Sequence, residues 1–206
     1  MIASAGEIAA LFRKRFDTEP ALFFSPGRIN LIGEHVDYND GFVMPGAIDK
    51  GIFFAASVNN SNRVCVLSAD MNEELDIALD EIHVMSGWKN YILGVIDQLL
   101  KANYSIRGFN IVFGGFLPVG AGLSSSAAVE CGLAFALNTL FNLGLSRIDI
   151  ARLCQKAEQT YPGVQCGIMD QFASIMGKKD HVLLLDCTTL EYETLPFAAE
   201  DFAIVL

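Results

Sequence analysis

The sequence predicts an α+β domain in which helices pack on a sheet without strict strand–helix alternation. Three observations lead there. Of 206 residues, 52% are hydrophobic and 18% charged. That is ample apolar material for a core and too little charge for a disordered chain. Strand-like runs follow one another at 51–58, 63–68 and 74–80, the last with Leu75, Ile77 and Leu79 alternating with polar residues. Around them stand segments whose apolar residues recur three and four apart, the helical spacing. A doubly wound parallel sheet would need regular βαβ alternation, which is missing.

Taken in order, residues 4–16 read as a helix. Ser4 and Glu7 have capping-box spacing, and Ile8, Leu11, Phe12 and Phe16 share one face. Residues 22–25 form a short strand, and 26–40 a polar loop rich in Gly and Asn. The three clustered strands come next. Trp88, Tyr91, Ile92, Val95, Ile96, Leu99 and Leu100 give a helix with a core face, and 109–113 a strand. Residues 125–141 are almost wholly apolar, hence a buried helix, which stops near Asn142 and Gly144. Ser146 and Asp149 open the next helix, with Ile150, Leu153, Cys154 and Ala157 inward. Pro162-Gly163 breaks the chain, 168–176 is a short helix ended by Gly177, and 182–186 with 190–195 form a hairpin. Residues 202–206 have the composition of a strand beginning, so a longer parent chain is expected.

Lys and Arg number 14 against 24 Asp and Glu, a net charge of −10. This disfavours nucleic acid and anionic membrane surfaces as partners. A phosphate could still be bound by backbone N–H groups, a few placed cations or a metal. Five cysteines, at 65, 131, 154, 166 and 187, are odd in number and lack a Cys-x-x-Cys pair. Neither a disulfide framework nor a zinc cluster is expected, and the reducing cytosol fits best. Glu7 precedes any run fit for a signal peptide, and no stretch nears the roughly 18–20 apolar residues of a membrane span. The expectation is a soluble, cytoplasmic protein.

Three segments hold candidate chemistry. Pro118 to Ala128 follows a strand and enters a helix. Gly120, Ala121, Gly122 and Leu123 lead into Ser124, Ser125 and Ser126, whose hydroxyls sit beside the free N–H groups of a helix start. Such a start is a ready anion site, although a tight turn with Ser124 as N-cap would need the same residues. Neither a Walker A loop nor the dinucleotide fingerprint is present. Residues 27–41 crowd Arg28, Glu34, His35, Asp37 and Asp40 into one loop with three glycines. These groups suit vicinal hydroxyls, as on a sugar, while a solvated polar loop with an Arg–Asp pair is the plainer alternative. Residues 166–171 place Asp170 in the first turn of an apolar helix, either as a helix-start charge or as a catalytic carboxylate. Glu158 alone reads as a surface carboxylate.

Together the segments resemble a known family. Residues 27–45 are similar to the N-terminal motif of galactokinases, residues 118–128 to the phosphate loop of the GHMP small-molecule kinase family, and Cys166-Gly-Ile-Met-Asp-Gln171 to the segment bearing the galactokinase catalytic aspartate. They occur in family order, and the similarity runs from about Phe23 to the last residue. The resemblance implies that 1–206 form a GHMP-kinase N-terminal domain, ribosomal protein S5 domain 2-like, with helices on a mixed sheet. It implies ATP-dependent phosphorylation of galactose to galactose 1-phosphate. Glu34, His35 and Asp37 would bind the sugar, and residues 120–126 the ATP phosphates with a weaker contact from Ser68. Ser126 and Glu158 would hold Mg²⁺, Asp170 would accept or orient the proton of the C1 hydroxyl, and Arg28 would stabilise the transferring phosphoryl group. The family's second half is missing, so little activity is expected of 1–206 alone. The related alternatives are a kinase for N-acetylgalactosamine or arabinose, or a sensor that binds galactose and ATP without transfer; the complete serine run favours an enzyme.

Overall fold

A computed structural model describes residues 4–117 and 122–197. The strand expected at 202–206 and the loop residues Pro118 to Ala121 lie outside them. The architecture is α+β, as expected. Strands β1 (Ala21–Asn30), β3 (Pro45–Val58), β6 (Phe109–Gly115), β4 (Arg63–Ser68) and β5 (Glu73–Ala78) form one sheet in the order β1-β3-β6-β4-β5. Only β4 and β6 run parallel in it, so the sheet is mixed. A second sheet, β2-β7-β8, joins Phe42–Val43 to the hairpin His181–Asp186 and Tyr192–Pro196.

The helices divide between the faces of the large sheet. On β3, Ile52, Phe54 and Ala56 point into the main core, shared with α2 (Lys89–Lys101), α3 (Ser125–Phe141) and α4 (Arg147–Thr160). Ala55 points the other way, to Ile8 and Phe12 of α1 (Ala5–Phe16). This is the period of two of a strand buried on both faces. Val43, Leu183 and Leu185 of the small sheet pack on Phe172 of α5 (Met169–Met176) and Ala151 of α4.

Capping follows the sequence signals. The Ser4 hydroxyl accepts from the Glu7 amide, Ser146 and Asp149 form a reciprocal capping box, and Asn142 takes the left-handed conformation that ends α3. Two expectations need correction. The loop expected at 26–40 begins only after Asn30, because β1 runs through Pro26, Gly27 and Arg28. Proline is tolerated there since β1 is an edge strand, and a register shift between Pro26 and Arg28 absorbs the irregularity. The strand expected at 51–58 starts at Pro45, paired with Asn30, and so carries the sheet under the polar loop.

α3 lies against the sheet at Gly132. A Cβ there would sit 2.2 Å from Phe54 Cε2 and 2.9 Å from Ser25 Cβ, with Phe54 itself fully buried. Gly132→Ala should therefore lower the melting temperature. Overpacking costs about 1–3 kcal/mol, and this outweighs the helix-propensity gain of up to about 1 kcal/mol. Thermal denaturation followed by circular dichroism checks the sign.

Candidate active site

Three elements meet at Arg28. β1 presents it, the serine loop lies beside it, and α5 supplies its partner. The Arg28 Nε donates to Asp170 Oδ1 at 2.7 Å, Nη2 stands 2.6 Å from the same oxygen, and Nη1 donates to the Gly122 carbonyl at 2.5 Å. The other carboxylate oxygen of Asp170 accepts from the Ser124 hydroxyl at 2.5 Å. The side chains of Arg28 and Asp170 are 13% and 27% exposed, sheltered but reachable. Gly27 lets the loop close on the strand: a Cβ there would fall 2.7 Å from the Leu123 carbonyl, to which the Arg28 amide donates.

Ser124 therefore does not cap α3, as the turn alternative required. It has positive φ, its side chain makes no capping bond, and its hydroxyl goes to Asp170. Ser125 and Ser126, in the first turn of α3, line a cavity of about 910 Å³. Ser68, Trp88, Phe113, Phe116 and Lys50 also line it. The structure thus brings Ser68 together with Ser125 and Ser126. Gly122, Leu123 and Ser124 join the same region through Arg28 and Asp170, whereas Gly120 and Ala121 lie outside the described residues.

The polar loop closes beside this pair. Asn39 and Gly41 amides donate to the Val36 carbonyl, and the Cys187 amide to the Gly41 carbonyl, tying the loop to the small sheet. Asp37 is half-buried, and burial, then the neighbouring Asp170 charge, push its carboxyl above the usual range; its own backbone amide, that of Tyr38 and the Arg28 charge oppose the shift. Gly167 makes room for it, since a Cβ there would lie 2.2 Å from Asp37 Oδ2. Asp37, Asp170 and Arg28 form one electrostatic cluster. Glu34 and His35 are exposed on the same loop. Glu34 accepts from the Asn30 amide at 3.0 Å, and the His35 ring bonds the Tyr38 hydroxyl at 2.7 Å.

Glu158 is a correction to the plain reading of its residue type. It is only 5% exposed, on α4 behind the serine loop. The Gln171 amide donates to it at 2.5 Å, and the Ser126 hydroxyl and Cys166 thiol bond it as well. Burial raises its pKa, and the Asp170 charge adds to the shift. A buried carboxyl beside a serine hydroxyl, with no ion pair among the described residues, is an oxygen donor set that a hard divalent cation would satisfy. Glu130 and Gln171, both fully buried, complete this group and were not singled out by sequence. The signal for Glu130 was one acid inside an otherwise apolar helix.

Comparison with known proteins follows the same lines. A family profile for the GHMP kinases N-terminal domain matches residues 90–178, and one for the galactokinase galactose-binding signature matches residues 10–58. A galactokinase of Thermosipho africanus is 44% identical over 87% of this chain and 50% of its own length. One of Clostridium perfringens is 44% identical over 97% of this chain and 53% of its own. The crystal structure of Lactococcus lactis galactokinase complexed with galactose superposes with a TM-score of 0.88 at 40% identity, covering 93% of this chain and 51% of that one. Methanococcus jannaschii mevalonate kinase, at 21% identity and a TM-score of 0.73, shares the fold. The chain spans about half the length of the curated relatives it matches. By sequence and by fold, the chain belongs to the GHMP kinases and corresponds to the N-terminal part of their galactokinase members.

Proposed function

We propose that residues 1–206 form the galactose- and ATP-binding N-terminal domain of a cytoplasmic galactokinase, which transfers the terminal phosphoryl group of ATP to O1 of galactose in galactose catabolism. The observation that carries this reading is the convergence of Asp37, Asp170 and Arg28 beside the serine loop. One carboxylate, Asp37, accepts from two backbone amides and keeps acceptor capacity for sugar hydroxyls. The second is oriented by a guanidinium and a loop hydroxyl, next to the start of α3.

In this reading Asp37 bonds sugar hydroxyls, with Glu34 and His35 on the same loop supplying further polar contacts. Asp170 accepts or orients the O1 proton, a bond forms between O1 and the terminal phosphorus, and the bond from that phosphorus to the departing ADP oxygen breaks. Arg28 is held so that its cation lies near the shifting negative charge, which a preorganised group stabilises without moving. The ATP phosphates would lie along Gly120 to Ser126, and the base in the apolar cavity beside Ser68 and Trp88. Ser126 and Glu158 would hold Mg²⁺, which when bound neutralises phosphate oxygens.

The direct test is ADP release and product analysis by the complete protein with galactose, N-acetylgalactosamine and arabinose. Galactose 1-phosphate should form. Binding of galactose and ATP without ADP release would favour a sensor, and turnover with the other sugars alone would move the substrate.

Asp170→Asn should cut kcat by roughly a hundred- to ten-thousand-fold with little change in KM, the range of general-base assistance. Arg28→Ala should also act on kcat, and the double variant should lose less than the product of the single losses because the two side chains are paired. An Asp170→Asn protein with unchanged kcat would leave Asp170 a helix-start charge only.

Asp37→Ala should weaken galactose binding by about 1.5–3 kcal/mol while ATP binding stays nearly unchanged, as calorimetry would show. The same side chain should be a stability liability. A carboxyl whose folded pKa lies above its unfolded value loses stability as pH rises through that interval. Asp37→Asn should thus raise the melting temperature of the sugar-free protein, and by more at pH 7.5 than at pH 4.5.

A further inference from the structure

Behind the serine loop, three helices bring three side chains together where water does not reach. Glu130 lies on α3, one turn after Ser126. Glu158 lies on α4, and Gln171 on α5, next to Asp170. Glu130 and Gln171 are completely buried. The Gln171 Nε2 donates to Glu158 Oε2 at 2.5 Å and stands 3.5 Å from Glu130 Oε2. Two oxygens of this group, Glu130 Oε1 and Gln171 Oε1, have no hydrogen-bond partner among the described residues. Buried polar atoms are almost always bonded, so the pair requires an explanation.

A neutral carboxylic acid supplies it. An acid and an amide laid side by side make two parallel bonds: amide N–H to one carboxyl oxygen, acid O–H to the amide oxygen. The 3.5 Å contact is the first of these. The two unpartnered oxygens are the donor, once protonated, and the acceptor that such a second bond would need. A charge at Glu130 would have no cation to pair with among the described residues, would feel the Glu158 charge, and would leave the Gln171 oxygen without a donor. Burial, then Glu158, then Cys131 push the Glu130 carboxyl well above the usual range, which agrees.

We propose that Glu130 is a positioning residue: paired as a neutral acid with the Gln171 amide, it fixes that amide with its N–H toward Glu158 and so holds Glu158 for a divalent cation. This rests on the reading of Glu158 as a cation ligand. Without Glu130 the amide is free to turn over, presenting its oxygen to the Glu158 carboxylate and repelling it. The Gln171 backbone carbonyl also accepts from the buried Cys131 thiol at 3.5 Å, so the turn that carries Asp170 is anchored to the same helix as Glu130.

Two variants separate hydrogen bonding from packing. Glu130→Gln keeps the size, remains neutral and can still pair with an amide. Glu130→Met keeps the approximate volume and removes both bonds. The probe is Mn²⁺, titrated by electron paramagnetic resonance into the complete protein with a non-hydrolysable ATP analogue, beside thermal melting. Glu130→Met should weaken Mn²⁺ about tenfold or more, the usual effect of losing an outer-shell partner, with cooperative melting retained. It should also raise the Mg²⁺ concentration needed for half-maximal turnover, with galactose KM unchanged. Glu130→Gln should restore Mn²⁺ affinity to near the parent value. Equal loss in Glu130→Gln and Glu130→Met would show that the charge matters and overturn the proposal. A Glu130→Met protein that melts differently but binds Mn²⁺ normally would reduce Glu130 to packing. Glu158→Gln is the control: if it leaves Mn²⁺ affinity unchanged, the cation reading itself falls; if it weakens Mn²⁺ while Glu130→Met does not, only the positioning role falls.

Discussion

The pairing of Arg28 with Asp170 is the constraint on which the site depends. It joins residues 142 positions apart, one on an edge strand and the other on the first turn of a short helix. The guanidinium's third nitrogen, Nη1, donates to the Gly122 carbonyl, and the second oxygen of the carboxylate accepts from Ser124. Strand, loop and helix are therefore fixed relative to one another by four polar contacts around one cation. Each partner is planar with directional donors or acceptors, so the pair sets orientation as well as distance. Because both side chains remain partly exposed, the pair can still meet a ligand.

That geometry is how, in the proposed reading, a chain of net charge −10 would present a phosphate site. The described site sets one arginine between two carboxyl groups, with Lys50 in the cavity wall, and the start of α3 adds a further positive contribution. Backbone amides and a helix dipole carry no titratable group and need no counterion when the site is empty. The acids cost stability instead. Asp37 and Glu158 are both displaced toward their neutral forms by burial, and in both the Asp170 charge adds to the effect. The fold holds these acids close together, and in the proposed reading a sugar at Asp37 and a cation at Glu158 would relieve them.

Much of this was legible in the sequence. α3 was readable because an almost wholly apolar run ended at an asparagine that tolerates left-handed geometry. β5 was readable because Leu75 and Ile77 alternate with polar residues. β1 was cut short because Pro26-Gly27 signals a turn in any local reading; only the edge position, a tertiary fact, makes proline acceptable there. Asp170, Arg28 and the serine run were found as motifs, but their mutual bonding was not, since nothing local says that Ser124 turns from its own helix to another. Glu158 looked like a surface acid because burial of a polar residue is decided by what packs around it. Gln171 was read as part of a motif and not as the link between two acids, for the same reason.

Trp88 illustrates a different consequence of the same packing. It is the protein's single tryptophan, and it stands in the wall of the apolar cavity, its ring edge-on to Phe113 and its N–H given to Glu73 at 2.9 Å. Indole emission shifts with the polarity and mobility of its surroundings. All tryptophan fluorescence from 1–206 arises at that one wall, so the molecule carries a built-in optical gauge of whether the cavity is filled, without any label attached.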